Sequence, residues 1–192
     1  FRQTLRLDPR NQRLGPAARQ QVQAANTELG IGGHQRGDHL GLRVQAQRLL
    51  QVLGAEEGHA VVDGALRRFA DAVRRHGGQV LRFMGDGLKA AFGLPEPADD
   101  DALRAVRAGQ AVLAEAMAHG QAMQSRLGPL RFAVRAGLHT GPVALGVGAE
   151  DAQTLVGATV HLAAGMERHA EPGTLRVSHD TWRVTRGAFE FA

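Results

Sequence analysis

The clearest structural signal in the chain lies in residues 76–93, whose sequence is His76-Gly-Gly-Gln-Val-Leu-Arg-Phe-Met-Gly-Asp-Gly-Leu-Lys-Ala-Ala-Phe-Gly93. Two short apolar runs, 79–84 and 88–92, flank the triplet Gly85-Asp86-Gly87. Glycine tolerates a positive φ, and an aspartate side chain can bond to its own turn backbone, so this triplet favours a tight turn. The stretch therefore predicts a β-hairpin with Asp86 at its turn.

Helices are predicted on both sides of this hairpin. The apolar residues before it recur at steps of four and three, which places them on one face of a helix; they are Val62, Leu66, Phe69 and Val73. Gly77-Gly78 should end this helix. After the hairpin, the acidic run 99–101 suits the start of a second helix that reaches Gly120, as N-caps and first-turn acids rather than as metal ligands.

The second half of the chain predicts further short elements. Residues 130–138 alternate like a strand, 139–142 suit a turn and 143–147 suit another strand, which together predict a second hairpin. A short strand near 154–156, a helix over 158–170, a strand over 174–178 and a helical turn at Trp182 should follow. The order α, ββ, α, ββ, α, β predicts an α+β domain with helices packed on a mainly antiparallel sheet.

Composition excludes several classes of protein. The chain of 192 residues is 43% hydrophobic, which suits one globular domain, and it has no cysteine for disulfides or thiolate sites. No apolar run approaches the ~18 residues that a membrane span needs, so we expect a cytoplasmic protein without a span in this segment. The net charge of +4 is almost entirely arginine, scattered among acidic residues, so we expect a solvated surface and no nucleic-acid partner.

Residues 1–47 differ from the rest of the chain. They contain eight glutamines against six in the remaining 145 residues, and their apolar residues keep no period of 2 or 3.6. We therefore expect an atypical segment that is disordered, divergent or mistranslated. One hypothesis is that GC-rich DNA is read here in the wrong frame, which would give such an Arg-, Gln-, Gly- and Ala-rich string.

From Arg48 onward the chain resembles the catalytic domain of class III adenylate/guanylate cyclases of the bacterial type. The hairpin 76–93 is similar to their central hairpin, and Arg135-Ala-Gly-Leu-His-Thr-Gly-Pro142 is similar to their next strand and turn. Residues 157–167, 170–173 and 177–178 resemble their interface helix and the strand after it. The resemblance implies a ferredoxin-like, cyclase-type sheet over residues 48–192, with the family's last strands and a triphosphate-binding lysine lying beyond Ala192.

The resemblance implies the conversion of ATP or GTP into a 3′,5′-cyclic nucleotide and pyrophosphate, with Mg²⁺ or Mn²⁺ as cofactor. Asp86 matches the family's second metal-binding aspartate, although an ordinary turn residue is the alternative. The first metal aspartate is expected 44 residues earlier, which is Leu42, and leucine cannot bind a metal. Asp38, the nearest carboxylate upstream, is four residues out of place.

The other matched positions concern the nucleotide. Arg82 takes the place of the purine-reading lysine, with an outward strand residue as the alternative, and Thr154 takes the place of its partner, which favours ATP slightly over GTP. His161 stands at the position of the ribose-orienting asparagine and Gly165 at that of the transition-state arginine. Glycine offers no charge, so we expect the chain to be very slow or inactive as a cyclase.

Two functions remain from this resemblance. The chain is either an impaired cyclase domain that works as a homodimer or heterodimer, or a non-catalytic pseudo-cyclase that dimerises or binds nucleotide to regulate another domain. A diguanylate-cyclase-like domain is disfavoured because its Gly-Gly-Asp/Glu-Glu-Phe turn is absent from the sequence.

Overall fold

A computed structural model of the chain describes residues 3–5, 35–44, 51–128, 132–145, 155–156 and 158–191. Seven strands and four helices lie in these ranges. In chain order they are β1 (Gln3–Leu5), β2 (Gln35–Val44), α1 (Ala55–Arg75), β3 (Gln79–Met84), β4 (Gly87–Phe92), α2 (Asp101–Leu127), β5 (Val134–Leu145), β6 (Leu155–Val156), α3 (Ala158–His169), β7 (Thr174–Val177) and α4 (His179–Thr185).

The strands form one sheet in the order β1-β7-β5-β2-β4-β3, and β6 pairs with the end of β5. Strand β2 lies at the centre and runs antiparallel to both of its neighbours, β4 and β5. The β5–β7 pair is parallel, and the remaining pairs are antiparallel. The predicted α+β class with a mainly antiparallel sheet is confirmed.

One face of the sheet is covered by α1 and α2. Alternate residues of β2 point to this face because side chains alternate along a strand, and Leu40, Leu42 and Val44 are all buried there. They belong to the same apolar cluster as Phe69 of α1 and Val106 of α2. This cluster is the main hydrophobic core of the domain.

Helix α3 packs on the opposite face of the sheet. Gly41 of β2 and Gly137 of β5 are paired in register and both face α3. A Cβ atom at Gly137 would lie 2.0 Å from the backbone nitrogen of Glu167 and 2.6 Å from the backbone oxygen of Ala163. The absence of a side chain at this position therefore lets the helix backbone lie directly on the sheet.

The first predicted hairpin and both predicted long helices are confirmed. Strands β3 and β4 are joined at Gly85-Asp86, and the four periodic residues of α1 are all buried. Helix α1 ends at Arg75, and Gly77 follows with a φ of 79°. Helix α2 begins at Asp101 as expected, but it continues past Gly120 to Leu127.

The acidic run before α2 is engaged by a neighbouring arginine. Arg104 Nε donates to Asp100 Oδ1 at 3.0 Å, and a terminal guanidinium nitrogen of Arg104 donates to Asp101 Oδ1. Asp100 is the N-cap residue, but its side chain makes no capping hydrogen bond. These carboxylates therefore lie at the start of the helix, as predicted, where they make ion pairs and where Asp101 Oδ2 also accepts from the Ala98 nitrogen at 2.5 Å.

The predicted second hairpin is wrong. Residues 134–145 form the single strand β5, which pairs with β2 from Val44↔Val134 to Gln35↔Val143 without a turn. Pairing with β7 ends at Leu138, so Pro142 lies where β5 has one strand neighbour, and a missing backbone N–H is tolerated there. The continuous ladder with β2 outweighs the local turn preference of Thr-Gly-Pro.

The central strand β2 lies in the segment where the sequence showed no period. Residues 35–44 form this strand, which is bonded on both sides, and its last five residues do alternate, with Leu40, Leu42 and Val44 buried. The origin of residues 1–47 and the boundary at 48 stay predictions. Across the described ranges, no helix combines the length and apolar character that crossing a bilayer requires.

We predict that Gly137→Ala destabilises the fold by about 1–3 kcal/mol or more, because the new methyl group must displace the backbone of α3. The matched control is Gly64→Ala on the exposed face of α1, where a Cβ meets nothing within 4 Å. That change should stabilise the helix by about 0.5–1 kcal/mol. Urea unfolding compares the two variants, and equal effects would contradict the close approach of α3.

Candidate functional site

The hairpin turn that carries Asp86 lies beside the end of the central strand. The backbone nitrogen of Val44 donates to the backbone oxygen of Asp86 at 2.8 Å, which ties the turn to β2. The preceding residue, Arg43, is exposed, and its Nε lies 4.0 Å from Asp86 Oδ1. Asp86 therefore has a permanent positive charge as its neighbour.

A second carboxylate approaches the same arginine from α3. Arg43 Nε lies 3.7 Å from Glu167 Oε1. Glu167 is 8% exposed, and its burial raises the pKa of its carboxyl group. The charges of Arg43 and Arg135 lower this pKa, whereas the charge of Asp86 raises it. We call Arg43, Asp86 and Glu167 the Arg43 cluster.

Leu42 points away from the Arg43 cluster. Its register partners are Leu88 of β4 and Ala136 of β5, and it is 2% exposed within the main core. Neighbouring residues of a strand point to opposite faces, so position 43 projects toward Asp86 and position 42 projects toward α1 and α2. A carboxylate placed at 42 would enter the hydrophobic core.

Asp38 cannot take the role of the missing aspartate. It precedes Val44 by six strand residues, or roughly 20 Å, whereas Asp86 lies beside Val44. Asp38 is buried and accepts a hydrogen bond from Thr140 Oγ1. Thr140 Oγ1 lies 3.0 Å from Thr181 Oγ1 of α4, so Asp38 anchors this end of the sheet to that helix. Its role is structural.

These positions do not fit the two-carboxylate metal site that the resemblance implies. Two divalent ions need converging carboxylate oxygens, and Mg²⁺ in particular demands a regular oxygen shell. Among the residues that the structure describes, Glu167 is the carboxylate that shares the guanidinium of Arg43 with Asp86. Within the part of the chain that the structure describes, no three Asp, Glu or His residues are grouped to hold a metal ion.

Of the two residues assigned to the purine, the structure describes Arg82 but not Thr154. Arg82 is exposed on β3, the edge strand, directly opposite Lys89, the single lysine of the chain. A register shift between Val80 and Arg82 sits just before this pair. Thr154 lies outside the described residues. The assignment of both residues to the purine stays a prediction.

His161 and Gly165 lie one helical turn apart on α3. His161 is exposed, and a Cβ built at Gly165 meets nothing within 4 Å. Gly165 accepts a hydrogen bond through its backbone oxygen, which lies 2.7 Å from His169 Nδ1. This face of α3 has room for a large side chain at position 165, so glycine there is not required by packing.

Sequence reasoning missed two members of the Arg43 cluster. Arg43 was missed by one residue, because the 44-residue spacing placed the partner of Asp86 at Leu42. Glu167 was part of the resemblance to the interface helix, and its position two residues after Gly165 was the available signal. The pairing of Arg43 with Asp86 depends on the sheet register, which brings together residues 43 positions apart.

Comparison with known families agrees with this architecture. Residues 44–192 match the family model described as the adenylate and guanylate cyclase catalytic domain. The match covers more than half of the chain. The protein therefore belongs to the class III nucleotidyl cyclase family.

Individual relatives are distant. The chain is 28% identical over 123 residues to the receptor-type guanylate cyclase gcy-23 of Caenorhabditis elegans, covering 63% of this chain and 11% of that protein. The structure resembles the adenylyl cyclase CyaB from P. aeruginosa with a TM-score of 0.74 at 24% identity, over 80% of this chain and 82% of that one. It resembles the guanylyl cyclase Cya2 with a TM-score of 0.67 at 28% identity, over 80% and 79%.

We predict that Leu42→Asp, the direct repair of the missing aspartate, unfolds or strongly destabilises the domain. An unpaired charge buried in an apolar core costs about 3–5 kcal/mol. The control Leu42→Met conserves volume and should cost less than about 1.5 kcal/mol. Chemical unfolding measures both. A stable Leu42→Asp variant would contradict the inward orientation of this side chain.

Proposed function

We propose that this chain is a nucleotide-binding, dimer-forming cyclase domain in which the cyclisation step is strongly impaired. The observation that carries the proposal is that residues 42 and 43 point to opposite faces of the sheet. Leu42 is buried in the core, and the side chain beside Asp86 is that of Arg43. The site thereby keeps a carboxylate at the turn but lacks its carboxylate partner. The reaction would be the closure of ATP, or less readily GTP, to its 3′,5′-cyclic nucleotide for intracellular signalling.

The impairment has a second cause on α3. Cyclisation needs a positive charge to neutralise the pentavalent phosphorus and a donor to orient the ribose. Gly165 supplies no charge, and a missing phosphate-stabilising arginine costs about 10³–10⁵ in rate. His161 keeps one ring N–H donor, so the ribose contact is weakened rather than lost. Removal of one such preorganised donor costs about 10²–10³.

Nucleotide binding needs fewer groups than catalysis. Arg82 and Lys89 together give the edge hairpin two adjacent cations, which suit a purine ring nitrogen or a phosphate oxygen. Thr154 is proposed as the second purine contact and favours ATP. The Mg²⁺ or Mn²⁺ that the family resemblance implies would enter as the metal complex of the nucleotide, with Asp86 as the carboxylate nearest to it. The proposed setting is the bacterial cytoplasm, which contains both the nucleotide and the metal ion.

We predict that purified chain binds a fluorescent ATP analogue but forms cyclic AMP or cyclic GMP far more slowly than the roughly 1–10³ s⁻¹ of ordinary enzymes. His161→Asn combined with Gly165→Arg should raise turnover by about 10³ or more. Both changes lie on an open helix face, so the fold should tolerate them. Cyclic nucleotide is measured with ATP and GTP offered separately in manganese.

The matched control for this assay is His161→Asn with Gly165→Ala, which restores the helix residue without its charge. It should turn over about 10³-fold or more slower than the arginine variant, because the two differ only in that charge. An unmodified chain with ordinary turnover would overturn the proposed impairment. If no variant turns over while nucleotide still binds, the pseudo-cyclase function is the correct one.

Dimerisation is proposed because the two halves of the site lie on surfaces that point away from the core. Leu162, next to His161, is 46% exposed, and Phe83, next to Arg82, is 48% exposed. In this family the metal-binding residues and the transition-state residues of one site come from opposite subunits. A second copy, or another cyclase domain, would cover these apolar side chains and complete the cleft.

We predict that Leu162→Glu weakens self-association by at least about tenfold, since burial of a leucine contributes about 1.5–3 kcal/mol and tenfold corresponds to 1.4 kcal/mol. The control is Val52→Glu, at a valine that is 61% exposed and lies before α1. Sedimentation equilibrium measures both variants. An equal effect at both positions would remove α3 from the interface.

A further inference from the structure

We propose that Arg43 is a tethered cation that replaces a divalent metal ion at Asp86, so that the chain does not retain free Mg²⁺ or Mn²⁺ at this carboxylate. The inference rests on the proposed function only in taking Asp86 as the carboxylate of the nucleotide site. It concerns the binding of the ion alone, without nucleotide and without turnover.

The geometry places one guanidinium between two carboxylates from separate elements. Arg43 Nε lies 4.0 Å from Asp86 Oδ1 in the hairpin turn and 3.7 Å from Glu167 Oε1 in α3. Glu167 is almost fully buried, whereas the side chains of Arg43 and Asp86 are about half exposed, at 53% and 44%. The buried carboxylate of Glu167 and the solvent-facing carboxylate of Asp86 therefore both lie beside the guanidinium of Arg43.

Two structural constraints hold Arg43 in this place. The bond from the Val44 nitrogen to the Asp86 oxygen fixes the turn against the end of β2. The close contact of α3 with Gly137 fixes the helix backbone at Glu167 against the sheet. The strand alternation then directs the side chain of residue 43 to the face where Glu167 lies. The cation is thus positioned by backbone geometry as well as by charge.

An arginine in this position opposes metal binding in two ways. Its guanidinium is a fixed positive charge beside the carboxylates. Its charge also lies within 4.0 Å of the oxygens that a metal would need as ligands, so a metal binding there would meet its repulsion. Surface ion pairs of this length add little stability. The main consequence of the Arg43–Asp86 pair is therefore that a positive charge already lies where a metal ion would bind.

The test measures Mn²⁺ alone, without nucleotide, by electron paramagnetic resonance of free Mn²⁺ and by isothermal titration. Arg43→Asp places a second carboxylate beside Asp86 on the solvent side and removes the repulsion. We expect it to bind Mn²⁺ at least about tenfold more tightly than the unmodified chain, a change of 1.4 kcal/mol. Arg43→Asp combined with Asp86→Asn should lose that gain.

The matched control is Arg67→Gln, which removes an exposed arginine of α1 on the other face of the sheet and should leave Mn²⁺ binding unchanged. Arg43→Gln tests the same idea without adding a charge, and Mn²⁺ should raise its melting temperature but not that of the unmodified chain. Equal binding by the unmodified chain and the two Arg43 variants overturns the proposal, as does a gain that survives Asp86→Asn. Either result leaves the proposed nucleotide function in place.

Discussion

The antiparallel pairing of β2 between β4 and β5 is the constraint on which the rest of the structure depends. It sets the register of every residue in the central strand, and with it the face to which each side chain points. A slip by one residue would bring Arg43 into the core and Leu42 to the site, since strand side chains alternate. The buried Leu40, Leu42 and Val44 oppose such a slip because each would lose its apolar surroundings.

The two faces of the sheet have different roles because of this register. The face toward α1 and α2 supplies the apolar burial that stabilises the domain. The face toward α3 has two glycines at the centre of the contact, so the helix lies near enough for Glu167 to approach the end of β2. The Arg43 cluster therefore lies on the face where the backbone of α3 touches the sheet directly, without a layer of side chains between them.

Charge balance at this end of the domain differs from that of a site built to hold metal ions. Asp86 and Glu167 interact with each other unfavourably, which contributes to the raised pKa of Glu167, and Arg43 offsets part of that cost. Arg43 interacts with both carboxylates, and the charge of Arg135 also acts on Glu167. The domain keeps the cyclase architecture, and this charge balance, with glycine at position 165, is the basis of the proposed impairment of cyclisation.

The sequence by itself determined the family, the first hairpin, α1 and the location of Asp86, because these depend on local spacing and turn chemistry. Its assignment of His161 and Gly165 to the ribose and transition-state positions stays a prediction. Only the tertiary structure decided that 134–145 is one strand, that residues 35–44 form the central strand, and that Arg43 stands beside Asp86. These features depend on hydrogen bonds between residues far apart in the chain, and the alternation of Leu40, Leu42 and Val44 does not by itself say which strands pair with it.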